Sequence, residues 1–209
     1  MASNSQRRRR AFRAAAPAAG LLAAGLLVWQ GSTAAFTSTT NTAANNWTAG
    51  QVVLANNSNG SATFSQTGAA AFTVANLKPN DGGFRCITVR STSSVAANAR
   101  FYVSGLSGAL APGLTLTVQT AALPTGTGAV PAADCTGAPG ALTTVYSGAL
   151  SAAPVSWAAT GSANQWAIAG TPTENQLYKI SWSFPSTASD NTYQGTTATA
   201  VFNWEADTP

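Results

Sequence analysis

The sequence predicts an all-β fold, an antiparallel sandwich of about ten short strands, and three observations carry that prediction. After the first 34 residues, Gly, Pro, Ser, Thr, Asn and Ala dominate, and few segments have a helical pattern. Thr, Val, Phe, Tyr and Trp recur in short alternating runs, as in strands with one face buried. Between the runs lie residues that suit tight turns.

The first three strands are Gln51–Leu54, Ala62–Ser65 and Ala71–Val74, with Asn57-Ser58-Asn59-Gly60 as a turn between the first two. Lys78-Pro79-Asn80-Asp81-Gly82-Gly83 supplies Pro, then Asn-Asp, then Gly, the residues a sharp reversal needs. Phe84–Arg90 and Ala99–Ser104 follow. Leu114–Thr120 contains TLTVQT, where alternation is clear, and Leu142–Ser147 comes after a long loop. That loop, Leu123–Gly140, is rich in Pro, Gly and Ala and holds Cys135. Gln165–Ala169 precedes Leu177–Phe184, where Tyr178, Ile180, Trp182 and Phe184 share one face and Lys179, Ser181 and Ser183 the other. Ala198–Trp204 is the last strand. No repeat of fixed period and no linker interrupts this body, so residues 35–209 are expected to form one domain.

Residues 1–34 read as a secretory signal peptide. Arg7, Arg8, Arg9, Arg10 and Arg13 precede an uncharged run of 16 residues, Ala14 to Trp29. Spanning a bilayer takes about 20. Small residues place cleavage after Ala34 or Ala35; an uncleaved anchor is the alternative. Arg9-Arg10-Ala11-Phe12 also resembles a twin-arginine export motif, although a plain basic segment explains the same arginines. The formal charge of +4 belongs to this leader. Beyond it, five basic residues face six acidic ones, so no basic patch for nucleic acid is expected, and the membrane is met only through the leader.

In the exported part, Cys86 and Cys135 are expected to be joined, the alternative being two separate buried thiols. Two Cys and no His do not fill a usual zinc shell. The absence of His also removes Ser-His-Asp and Cys-His catalysis. Six carboxylates remain: Asp81, Asp134, Glu174, Asp190, Glu205 and Asp207. A two-carboxylate hydrolase is formally open, yet Asp81, Asp134 and Asp190 sit in turn-like sequence. No phosphate loop follows a strand, and no cofactor is expected. Trp47, Trp157, Trp166, Trp182 and Trp204 are read as core side chains, with a sugar-stacking face as the alternative.

Several stretches, in order, resemble the TasA/camelysin family of bacterial exported proteins. They are Ala35-Phe36-Thr37-Ser38-Thr39 after the apolar run, then Asn45-Asn46-Trp47-Thr48-Ala49-Gly50-Gln51-Val52-Val53-Leu54, then Phe72-Thr73-Val74-Ala75-Asn76-Leu77-Lys78-Pro79-Asn80-Asp81. Cys86–Ser94 and Tyr193-Gln194-Gly195 with Ala200–Ala206 complete the series. Asn80 stands where the family pattern has Gly, and the Asn and Gly expected after Val89 are missing. The resemblance implies a jelly-roll-like sandwich, a leader cut by a dedicated signal peptidase, and polymerisation into extracellular fibres in which the freed N-terminal segment enters the next subunit. Some members are described as metalloproteases; this chain has no His to carry that chemistry.

The residues support strand donation independently. Ala35 to Thr48 has Phe36, Thr37, Thr39 and Trp47, and neither charge nor Pro, features that favour addition to a sheet edge. Pairing within its own sandwich, or a mobile tail, is the alternative. The expected function is a secreted, non-enzymatic structural protein that self-assembles into fibres or biofilm matrix. Its expected partners are further copies of itself, with signal peptidase and the export machinery. A monomeric cell-surface module for glycan or protein is the second reading, and a hydrolase the third.

Overall fold

The alternating runs gather into two antiparallel sheets. The computed structural model describes residues 49–58, 60, 63–186 and 191–209. Among them are eight strands: β1 (Leu54–Asn56), β2 (Gly82–Ser91), β3 (Ala97–Ser107), β4 (Thr115–Leu123), β5 (Thr143–Ala149), β6 (Trp166–Ile168), β7 (Glu174–Ser183) and β8 (Thr199–Asp207). One sheet has the order β1-β2-β7-β4-β5, the other β6-β3-β8. Every pairing is antiparallel. No helix among the described residues is long and apolar enough to cross a membrane.

The core lies between the sheets and follows the period of two. Ile87 and Val89 of β2, Leu116 and Val118 of β4, and Tyr178 and Ile180 of β7 pack with Phe101 and Val103 of β3. Burying each such side chain contributes about 1.5–3 kcal/mol. Tyr178 stacks on Phe101 at 6.2 Å between centroids and meets Trp204 edge-on at 5.4 Å. In β7 the expected alternation holds: Tyr178 and Ile180 are buried and Trp182 is half-buried, while Lys179 reaches the exposed ring of Phe84 on the other face.

Two of the ten expected strands differ. Residues 71–74 are not a strand, because their backbone finds no ladder partner among the described residues. Of the expected strand at 62–65, Ser65 makes one isolated bridge to Asn56. The first strand also starts late, at Leu54. Upstream of it the Gln51 and Val53 N–H groups donate to the hydroxyls of Ser94 (2.9 Å) and Ser93 (3.0 Å), while Gln51 O and Val53 O accept the N–H groups of Ser94 (2.8 Å) and Thr92 (3.2 Å), so side chains and backbone share the pairing there.

The turn before β2 forms as its residues dictate. Asp81 Oδ2 accepts the Lys78 N–H at 2.8 Å, and Asn80 takes a φ of 76°, a left-handed conformation that Asn tolerates better than most residues. Cys86 and Cys135 are joined by a disulfide, with Cα atoms 5.1 Å apart. The bond ties the long loop after β4 to β2, and the Cys86 N–H donates to Ala133 O at 2.9 Å beside it. Such a bond persists in non-reducing surroundings.

Candidate functional site

Among the described residues β8 is the outermost strand of its sheet, and only β3 pairs with it. In the facing sheet β1 is three residues long and covers only Val89–Ser91 of β2. Beyond that cover, Asn57 stands in for a strand: its N–H donates to Thr88 O (3.1 Å) and its Oδ1 accepts the Thr88 N–H (2.8 Å). The sheets therefore part between β8 and β2, leaving a groove of about 1340 Å³. Small-molecule sites are typically about 300–1,000 Å³, so this one suits something larger.

The groove is more apolar than polar, with Asn56, Gln66, Thr115 and Asn203 among its polar residues. Ile87 and Val89 of β2, Leu116 of β4, Trp182 of β7, and Phe202 and Trp204 of β8 line it. A strap of residues 66–77 crosses its mouth and contributes Phe72 and Val74 to the lining. Phe72 reaches inward and meets Trp182 and Phe202 edge-on, at 6.4 and 6.3 Å between centroids. The indole N–H of Trp204 is buried with no hydrogen-bond partner among the described residues. A buried donor of this kind ordinarily has an acceptor.

The structure brings together an apolar-lined groove that the sequence did not mark. Ala34 and Ala35, read as the cleavage position, and Phe36, Thr37, Thr39 and Trp47, read as the strand donor, lie outside the described residues. The one sequence signal that pointed to the groove was the strand-like run at Ala71–Val74, which lies on its rim without pairing.

Asp81, Asp134 and Glu174 each accept backbone N–H groups. Asp134 Oδ1 accepts the Thr136 N–H at 3.0 Å, and that bond keeps its carboxyl below the usual carboxylate range. Glu174 Oε1 accepts the N–H groups of Ala169 (2.7 Å) and Gly170 (3.3 Å). Glu205 hydrogen-bonds Tyr102, which raises the phenol's pKa. Asp190 lies outside the described residues. Among the described residues no three of His, Cys, Asp and Glu are grouped to hold a metal ion.

The tryptophans are likewise absorbed by packing. Trp166 and Trp204 support the core, Trp182 lines the groove, and Trp157 lies under the Arg100 guanidinium at 4.4 Å. None of these four is fully exposed, and Trp47 lies outside the described residues.

Fold and groove together define an all-β sandwich with an apolar-lined groove beside the edge strand β8. Searched against models of protein families and against curated proteins, the sequence finds no significant match.

Proposed function

We propose that this chain is a secreted, non-enzymatic structural protein that assembles into extracellular fibres or matrix, each copy adding its segment 35–48 to the groove beside β8 of the next. The observation that carries this reading is the apolar groove bordered by the unpaired edge of β8. An unpaired edge offers a row of N–H and C=O groups to any extended chain, and the groove floor offers pockets for alternate side chains.

The donor and acceptor match in chemistry. Residues 35–48 carry no charge and no Pro, and they include Phe36 and Trp47. A docked strand also brings carbonyl groups near the unpartnered Trp204 N–H. The disulfide fits an exported protein. Outside the leader the chain has few charges, so repulsion between copies is weak. The resemblance to the TasA/camelysin family implies the same assembly.

The test is to delete residues 35–48 and compare the exported proteins by electron microscopy and size analysis. The deletion is expected to abolish high-mass assemblies while the monomer stays folded. Assembly of the deleted chain at an unchanged rate would refute strand donation.

A further inference from the structure

We propose that the incoming strand is held between two edges, β8 on one side and the backbone of residues 71–75 on the other, so that the strap becomes a strand only in the assembled protein. This rests on the strand-donation reading above and names the second half of its acceptor.

The strap has the composition of a strand without the bonding of one. Ala71–Val74 alternates as a half-buried strand should, yet no hydrogen bond joins the backbone of residues 71–77 to the other described residues. Natural sequences normally agree with their fold at every level, and disagreement of this kind marks a functional position. The strap is not loose, because Phe72 pins it to Trp182 and Phe202. Within residues 71–77 it is held at one aromatic anchor, Phe72, and it shares the groove lining with β8, which pairs with β3 alone among the described strands.

Exposed apolar side chains point the same way. Among the described residues four large hydrophobics are exposed, and two of them, Val74 (50%) and Val201 (54%), line this groove. Val74 belongs to the strap and Val201 to β8, one on each rim. A strand laid between the rims would cover both. Alternate residues of an inserted strand bond to its two neighbours in turn, so one segment can satisfy both edges.

The occupant is segment 35–48 of a second copy. Its 14 residues reach roughly 46 Å when extended, and the nine of β8 roughly 30 Å. The donor can therefore run the whole edge and still span to its own body. Its lack of charge suits a groove lined by Ile87, Val89, Phe202 and Trp204.

Hydrogen exchange read by mass spectrometry on the exported protein, as monomer and as assembly, tests this. Amides of residues 72–75 are expected to exchange fast in the monomer and at least ~10-fold more slowly in the assembly. Two variants add a second readout. Successive N–H groups of a strand point to opposite sides, so one of Thr73→Pro and Val74→Pro is expected to slow assembly by at least ~10-fold and the other to alter it less than ~2-fold. Neither is expected to change the melting of the monomer, where these N–H groups bond to nothing described. Assemblies whose 72–75 amides still exchange at the monomer rate, or two proline variants that both assemble normally, would overturn the role of the strap and leave donation to β8 standing. Absence of any assembly from the wild-type chain would remove both. Protection of 72–75 together with 35–48 in the monomer would show that the chain fills its own groove, and the second copy would be the wrong occupant.

Discussion

At the scale of single residues, two polar side chains inside the body decide local structure. The Arg100 guanidinium lies over Trp157 and donates to Trp157 O (3.3 Å), Thr160 O (3.0 Å) and Gln165 Oε1 (3.2 Å). One cation thus fastens the irregular stretch 156–165 to the outside of β3. Arg100→Ala is expected to cost about 2–3 kcal/mol in urea unfolding, because it removes the charge-assisted hydrogen bonds and the stacking on the indole at once. Arg100→Lys should recover less than half, because an ammonium lacks the planar fork. Asn57 is fully buried and works as a fragment of strand for Thr88. Nothing in its sequence context, an Asn-Ser turn, announces that role. Asn80 is different: a residue tolerant of positive φ, set in a Pro-Asn-Asp-Gly turn, can be placed from sequence, and its φ of 76° agrees.

At the scale of elements, all eight strands overlap the predicted runs. Burial of one face imposes the alternation most plainly in β3 and β4. The partnering of edges is not legible. Ala71–Val74 has the local pattern of a strand, but a strand exists only where a neighbour offers a ladder, and that is set by the tertiary arrangement. The groove is hidden for the same reason, being made of residues from β2, β4, β7 and β8 whose patterns are those of ordinary core. The disulfide is readable as a pairing of the two cysteines, and its effect belongs to this scale as well. It closes 49 residues of chain, for which the chain-entropy estimate gives about 4 kcal/mol. Reduction, or Cys86→Ser with Cys135→Ser, should lower stability by about that amount, and native protein should yield no alkylatable thiol by mass spectrometry before reduction. Two labelled thiols in the native state would contradict the bond.

For the whole molecule, charge is scarce and titration is governed by buried phenols. Burial holds the Tyr178 hydroxyl well above its ordinary pKa of 10.0, and burial shifts Tyr146 in the same direction. The folded state therefore keeps a proton that the unfolded state releases. Below pH 10 both states are protonated and stability is unaffected. Above it the unfolded state ionises first, so stability falls as pH rises, by up to about 1.4 kcal/mol per pH unit for Tyr178. Denaturant unfolding between pH 9 and pH 11 should show this slope, and Tyr178→Phe should flatten it. The groove has a mechanical consequence too. Within each sheet a hydrogen-bonded ladder resists separation, and at the groove the Phe72 ring bridges the two sheets, meeting Trp182 on one leaf and Phe202 on the other. Compliance is thus lopsided. Thermal breathing should begin at that bridge, like a book opening from its unbound margin, while the stitched spine stays shut.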